Sequence, residues 1–223
     1  MSEPGDVESL VTDPRLIEER RRQILTAATK LFSQQGFYRT TIQAIAKEAG
    51  VSTGLIYQYF HDKDDVLYLT LVTVLDTYEQ EIPKDIRGVD DPLERLCRAF
   101  YAYCRVVDRL LDATVLAYRS TKSLKPHRQR FIKDRETATN RLLETCVEAA
   151  VAAGLIRPFN SFLFTYQLVH FCHAWALKQW AFRARYDLDS YVAAGIALLI
   201  EPFLTGTGQA VLARLREERV VPQ

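Results

Sequence analysis

Apolar residues recur at the three- and four-residue spacing of an α-helix along nearly the whole chain of 223 residues, and no segment alternates cleanly with a period of two. Gly36, Gly50 and Gly154 each follow such a segment, and glycine commonly ends a helix. Ser52 and Asn160 precede such segments and can cap them. The pattern therefore predicts an all-α fold.

The predicted helices fall into two groups. Three short ones form a small head, for which we predict the boundaries 20–65, and a fourth helix, expected to stop before Pro83, leads into a helical body over residues 66–223. Two long segments of the body, from Asn160 to Arg185 and from Asp189 to Leu204, are apolar on nearly every side. Helices of this kind must be buried all round, and a subunit interface is one place where this happens.

The formal net charge of +1 conceals an uneven distribution. Residues 1–19 carry six acids and one arginine, whereas residues 20–63 carry seven bases and two acids. A basic module suits a polyanionic partner such as nucleic acid. We expect the acidic leader, residues 1–19, to be flexible.

Several protein classes are disfavoured. No stretch of eighteen apolar residues is free of charge, and the acidic N-terminus does not resemble a signal peptide, so we expect a cytoplasmic protein without a membrane partner. His170 and His173 lack accompanying carboxylate or thiol ligands, so we interpret them as core or interface histidines and expect no metal site. Reduced, buried thiols are expected for the four cysteines, which lack metal-type spacing: Cys97, Cys104, Cys146 and Cys172.

The segment "IQAIAKEAGVSTGLIYQYF", residues 42–60, predicts two helices joined by a tight turn at Gly50. With its cap at residue 41 it matches a helix-turn-helix motif, in which the N-terminal end of the second helix enters the DNA major groove. Thr53 and Gln58 can reach base edges, and tyrosine hydroxyls can reach phosphates. Gly54 has no side chain, so backbone and DNA can approach closely. The motif therefore predicts a DNA-binding head.

The longer stretch "ILTAATKLFSQQGFYRTTIQAIAKEAGVSTGLIYQYFHDKDDVL" resembles the N-terminal domain of TetR/AcrR transcriptional regulators, over about residues 20 to 70. The resemblance implies a homodimeric repressor of operator DNA. It also implies a divergent C-terminal ligand-binding domain whose last two long helices pair across the dimer. From the motif and the resemblance together, the predicted DNA-binding residues are Thr40, Thr41, Ser52, Thr53, Gly54, Leu55, Tyr57, Gln58, Tyr59 and Lys63.

A second basic cluster, from Arg119 to Arg135, carries seven bases and one acid in an aromatic-rich body. It is typical either of a solvated loop and helix start or of a site for the phosphates of an apolar-tailed anion. For an effector, we favour an acyl-coenzyme A or a related apolar acid over a lipophilic drug. The candidate ligand-binding residues are Phe100, Tyr101, Cys104, Arg105, Arg109, Tyr118, Arg119, Arg128, Phe131, Arg135, His170 and Trp175.

Two other classes of function stay open. An enzyme is disfavoured because no Gly-rich phosphate loop, nucleophile elbow or catalytic cluster stands out, and we expect no cofactor. A helical adaptor that kept the fold and lost DNA binding is disfavoured by the outer face of the third helix. That face retains hydrogen-bond donors and carries no acid to repel phosphate. The sequence does not distinguish a repressor from an activator.

Overall fold

The structure is a computed structural model that describes residues 7–222, and these residues form an all-α protein, as predicted. The described residues contain one isolated β-bridge, between Ile156 and Leu204, and no strand. Two 3-10 turns, Thr121–Ser123 and Glu201–Phe203, and a π-helical turn, Ile196–Ile200, accompany the helices. The α-helices are α1 (Pro14–Gln35), α2 (Ile42–Ala49), α3 (Thr53–Tyr59), α4 (Lys63–Asp85), α5 (Pro92–Arg109), α6 (Leu111–Ser120), α7 (Pro126–Ala152), α8 (Ser161–Leu177), α9 (Gln179–Phe182), α10 (Leu188–Gly195) and α11 (Gly206–Glu217).

Local sequence explains where most of these helices begin and end. The side chains of Ser52 and Asn160 accept hydrogen bonds from the first turns of α3 and α8, as the cap pattern predicted. Gly50 and Gly154 adopt φ angles of 68° and 70° after α2 and α7. This left-handed conformation costs glycine little, so the chain can turn sharply at both points.

The leader differs from its prediction. Helix α1 begins at Pro14, capped by Asp13, and the preceding segment from Val7 is attached to the end of α3. The Leu10 N–H and the Ser9 hydroxyl both donate to the Gln58 carbonyl, at 2.8 and 3.0 Å. The expected flexibility is therefore corrected for residues 7–19, because backbone hydrogen bonds and a helix hold them. Residues 1–6 lie outside the described residues.

Two other predicted helix ends are wrong. Helix α4 continues through Pro83 to Asp85, because a proline in the last turn removes only one hydrogen bond. The segment from Asn160 to Arg185 is not one helix: α8 ends at Leu177, and Lys178 leaves the helical conformation at φ −126° and ψ 30°. The apolar pattern continues across this break, so periodicity did not reveal it.

The chain forms two compact units, and the chain passes from one to the other within α4, at the start of α6 and within α7. Of the described residues, the first unit holds 7–75 and 112–135 and the second holds 76–111 and 136–222. The first unit is larger than the predicted head because Leu116, Leu124 and Ile132, from beyond α5, complete its core. That core also contains Ile45 and Ile56 of the motif, both fully buried.

In the second unit, α5 is the central helix and packs against α8, α10 and α11. Ten of its residues are buried, which fits its position among three neighbours. None of the described helices combines the length and the apolar content needed to cross a bilayer.

Candidate nucleic-acid interface and effector site

Helix α3 is seven residues long and depends on the first unit for its stability, since a helix this short is marginal alone. Ile56 and Tyr59 are buried and anchor it. On the opposite side, Gly54 and Gln58 are exposed, and the Tyr57 side chain is 49% exposed. The structure therefore brings the predicted polar groups of α3 together on one accessible face. Its other predicted contacts, Ser52, Thr53 and Leu55, are exposed or half-buried at the start of the helix.

Two predicted DNA contacts point into the protein. Thr40 is fully buried, and its hydroxyl donates to the Gly36 carbonyl at 2.9 Å. Tyr59 is 2% exposed and belongs to the core of the first unit. Both side chains are removed from the candidate interface, because packing has turned them inward. Thr41 stays: it is exposed and caps α2 by accepting from the Ala44 N–H at 3.1 Å.

Lys63 has a different role from the predicted phosphate contact. Its ammonium group donates to the carbonyls of Phe37 and Thr40 at 2.7 and 2.8 Å and lies 4.5 Å from the centre of the Phe37 ring. Burial lowers the pKa of Lys63 below its ordinary value. In this structure the side chain stabilises the turn between α1 and α2, so its assignment to DNA is corrected.

The turn held by Lys63 contains an exposed aromatic residue that sequence reasoning missed. Tyr38 is 80% exposed and contacts the Phe37 ring edge-on, with 5.4 Å between ring centres. Its neighbour Arg39 is also exposed. The sequence did contain a signal for a further DNA contact, since Tyr38 and Arg39 stand together in a turn before a capped helix. Tyrosine and arginine side chains can both bind phosphates.

The basic cluster between Arg119 and Arg135 is partly neutralised inside the first unit. The Arg128 guanidinium binds Asp64 at 2.6 Å and Asp65 at 2.5 Å, and its side chain is only 11% exposed. Burial raises the pKa of Asp65, but the hydrogen bonds from Arg128 and from two backbone N–H groups outweigh this and hold that pKa below its ordinary value. Arg128 is therefore a structural residue and not a ligand for effector phosphates.

Other bases of the cluster also have local contacts. Lys125 lies 3.6 Å from an Asp62 carboxylate oxygen, and Arg135 lies 5.9 Å from the centre of the Phe131 ring. The predicted effector residues are divided between the two units. Those in the first unit are Tyr118, Arg119, Arg128, Phe131 and Arg135, and the remainder belong to the second.

In the second unit, Arg105 and Arg109 form ion pairs near the surface. Arg105 binds Asp85 at 2.6 Å, and Arg109 lies 3.8 Å from Glu81. The Tyr101 hydroxyl donates to Asp189 at 2.6 Å. Tyr101 and Arg105 line an open cleft of about 1200 Å³. Tyr101 and Arg105 therefore face a polar surface cleft and not an apolar interior.

The apolar members of the predicted site are packed differently from one another. Phe100, Cys104 and Trp175 are buried, and the Cys104 and Cys172 sulfur atoms are 3.1 Å apart as free thiols. His170 is exposed, with its Nδ1 2.6 Å from the Tyr166 carbonyl oxygen. His170 is thus corrected from a pocket residue to a surface residue, since the side of α8 that carries it faces away from the core.

A polar cluster inside the second unit was missed as a group. The Tyr103 hydroxyl donates to Asn140 Oδ1 at 3.0 Å and lies 3.3 Å from His173 Nε2. All three side chains are buried, and burial lowers the pKa of His173 to about 4. His173 is therefore neutral at physiological pH. The sequence signal was the pair Thr139 and Asn140 within α7, but it does not reveal that Asn140 accepts from Tyr103, 37 positions away.

Comparison with known proteins agrees with this architecture. Residues 24–68 match the family model "Bacterial regulatory proteins, tetR family", and residues 89–180 match "Tetracyclin repressor-like, C-terminal domain". The HTH-type transcriptional regulator HbdR of Aromatoleum sp. (strain CIB) is 61% identical over 215 residues, which cover 96% of this chain and 94% of HbdR.

Two more distant similarities are also informative. The HTH-type transcriptional repressor KstR2 of Mycobacterium tuberculosis (strain ATCC 25618 / H37Rv) is 26% identical over 144 residues, 64% of this chain and 72% of KstR2. The crystal structure of AibR in complex with isovaleryl coenzyme A and operator DNA has a similar fold. Its TM-score is 0.72 at 21% identity, covering 82% of this chain and 100% of AibR.

A helix-turn-helix head joined to a helical body defines a DNA-binding transcriptional regulator. This chain belongs to the TetR family of transcriptional regulators.

Proposed function

We propose that this regulator is a cytoplasmic repressor that binds double-stranded operator DNA as a homodimer and is released by an acyl-coenzyme A or a similar apolar effector. The observation that carries the DNA-binding part is the outer face of α3. Gly54, Tyr57 and Gln58 are accessible there, while Ile56 and Tyr59 hold the helix from behind. The relative KstR2 is named a repressor, which supports repression over activation.

The proposed dimer rests on large apolar side chains exposed on the last helices of the second unit. Leu163 and Leu177 lie on the same side of α8 as His170, at seven-residue spacing. Trp180 is 79% and Leu198 67% exposed, and exposed apolar groups of this size mark interaction sites when they gather on one surface. A second copy of the chain is the occupant that we propose.

The effector class is supported by the AibR complex, which contains isovaleryl coenzyme A. A dimer that reads successive major grooves needs its two α3 helices about 34 Å apart, or a multiple of that distance. An effector that binds better to a state with another spacing lowers operator affinity by its differential affinity for the two states. Free acids and lipophilic cations are the competing effectors.

The test is to titrate the operator complex with acyl-coenzyme A thioesters, free acids and lipophilic cations. Fluorescence anisotropy of labelled operator DNA measures its release. We expect the thioesters to release the DNA. Release by cations alone would reject the effector class and leave the repressor intact.

The dimer is tested separately by light scattering at micromolar concentration. We expect wild type and the control Leu10→Arg, an exposed leucine of the first unit, to be dimers and Leu198→Arg to dissociate. A monomeric wild type that still binds the full operator would contradict the proposed assembly.

A further inference from the structure

The interior of the second unit contains hydrogen-bonding groups that its own fold leaves unused. Asn140 is 3% exposed, and its Nδ2 amide nitrogen has no hydrogen-bond partner among the described residues. The Thr139 hydroxyl, next in the chain, is likewise buried and unpartnered within the described residues. A buried donor without an acceptor is unfavourable, and most native proteins avoid it unless a water or a ligand satisfies the group.

The partners of Asn140 orient this free donor. Its Oδ1 accepts from the Tyr103 hydroxyl at 3.0 Å, so the amide group is held by one end. The Tyr103 hydroxyl also lies 3.3 Å from His173 Nε2, which connects α5, α7 and α8 in one chain of polar contacts. The other end of the amide is thereby left to donate to an incoming acceptor.

The chemistry of the cluster selects the kind of acceptor. None of the three side chains carries a positive charge at neutral pH, since burial keeps the pKa of His173 low. Transfer of a carboxylate into such surroundings without a paired cation is strongly unfavourable. A carbonyl oxygen is uncharged and accepts from an amide N–H at little desolvation cost. The cluster therefore favours the carbonyl of a thioester over the carboxylate of the matching acid.

We propose that Asn140, held by the Tyr103 hydroxyl that also contacts His173, donates a hydrogen bond to the thioester carbonyl of the effector and so distinguishes acyl-coenzyme A thioesters from free acids. This inference rests on the proposed acyl-coenzyme A effector and names the residues that would recognise it. The Tyr78 and His173 rings pack against the Tyr103 ring, with their centres 4.4 and 5.5 Å from its centre, so aromatic rings surround the Tyr103 hydroxyl that holds Asn140.

The test compares aliphatic and aromatic acyl-coenzyme A thioesters with their free acids and with coenzyme A, using both operator release and thermal stabilisation of the protein without DNA. For wild type, the best thioester should act at a concentration at least about tenfold lower than its acid, the factor that about 1.4 kcal/mol represents. Equal action of acid and thioester would overturn the carbonyl assignment while leaving the proposed repressor standing. An absence of any response to thioesters, with operator binding retained, would reject the proposed effector together with this inference.

The residue assignment is tested with Asn140→Leu, which keeps the branched shape of the side chain and removes the amide donor together with the acceptor of the Tyr103 bond. The thioester concentration for half-release should rise about tenfold, while effector-free operator affinity stays unchanged. Thr165→Val is the matched control. Thr165 lies on α8 outside the cluster, and like Asn140 it is buried and has a polar atom without a hydrogen-bond partner among the described residues. We expect it to respond as wild type does.

Tyr103→Phe is the second variant and guards against misfolding of Asn140→Leu. It keeps the ring and releases the Asn140 amide, so it should also weaken the thioester response, by a smaller factor than Asn140→Leu. If both variants respond to the thioester as wild type does, the cluster is structural, with a buried water on the amide, and the proposal is wrong.

Discussion

In the first unit the polar side chains of α3 lie at the surface, whereas in the second unit those of Tyr103, Asn140 and His173 lie in the interior. The surface groups belong to one helix, and a cap and two buried anchors present them. The interior groups come from three helices and meet only because those helices pack together. The first arrangement suits a large, charged partner that approaches from solvent. The second suits a small, uncharged group that must be desolvated before it binds.

The largest expected effect tests whether the basic cluster of the first unit is structural. Arg128→Ala leaves Asp64 and Asp65 without their cation in a site of low exposure, and we expect it to lower the free energy of unfolding by about 4 kcal/mol. Arg130→Ala, two positions away on an exposed residue, should change it by less than about 0.5 kcal/mol. Chemical denaturation measures both. Comparable small losses in the two variants would show that Arg128 is an ordinary surface base.

The next effect is the dependence of stability on pH that the buried His173 of the second unit should cause. The unfolded chain takes up a proton at His173 near pH 6.5, whereas in the folded protein burial lowers the pKa to about 4. Stability should therefore fall as the pH decreases from 6.5 to about 4, by roughly 3 kcal/mol, with no further loss from this group below that range.

Denaturation at a series of pH values gives the measurement. His173→Gln should show a smaller loss over this range, and His170→Gln, on the exposed side of the same helix, should keep the wild-type loss. An unchanged pH dependence in His173→Gln would contradict the assignment.

A third prediction concerns the surface of α3. Gln58→Ala should weaken operator binding by about 2 kcal/mol and relax base preference at one position, because a base-edge contact is lost. The thermal midpoint should hardly change, since the side chain is exposed. Anisotropy with operator variants measures this, with Gln34→Ala on α1 as the exposed control. Unaltered preference across all operator variants would remove Gln58 from the interface.

The smallest effect separates a structural lysine from a phosphate contact. Lys63→Met keeps the aliphatic stem near Phe37 but loses the hydrogen bonds to the Phe37 and Thr40 carbonyls. We expect a stability loss of about 1.5 kcal/mol. The dependence of operator affinity on salt concentration should keep the wild-type slope. A slope reduced by about one would mean that Lys63 contacts a phosphate after all.

The motif was predictable because its determinants are local. Ser52 caps α3, Gly50 permits the turn, and the spacing of Ile45 and Ile56 identifies the buried side. These features act within one or two helical turns of the residue that carries them. The sequence therefore predicted the helix-turn-helix and most of the exposed face of α3, and the family resemblance agreed with both.

The sequence could not show which of two similar neighbours is exposed, or which distant residues pair with each other. Thr40 and Thr41 are neighbours with equal chemistry, yet packing buries one and exposes the other. The sequence between Arg119 and Arg135 shows an excess of bases, but Arg128 is neutralised by carboxylates outside this segment. Asp64 and Asp65 precede Arg128 by more than sixty residues. Composition does not specify such pairs, so the sequence could not show that Arg128 is held by carboxylates of its own unit.

By itself, the sequence determined the all-α fold, the capped motif and the DNA-binding class, because helix periodicity, caps and turn glycines act over a few residues. The tertiary structure alone decided which polar groups face solvent and which lie inside. It joined Arg21 to Val7 and to the Tyr59 carbonyl at the end of α3, and it placed Asn140 beside Tyr103. The reason is physical: side-chain exposure and pairing depend on how helices distant in sequence pack, and that packing is settled by the whole core.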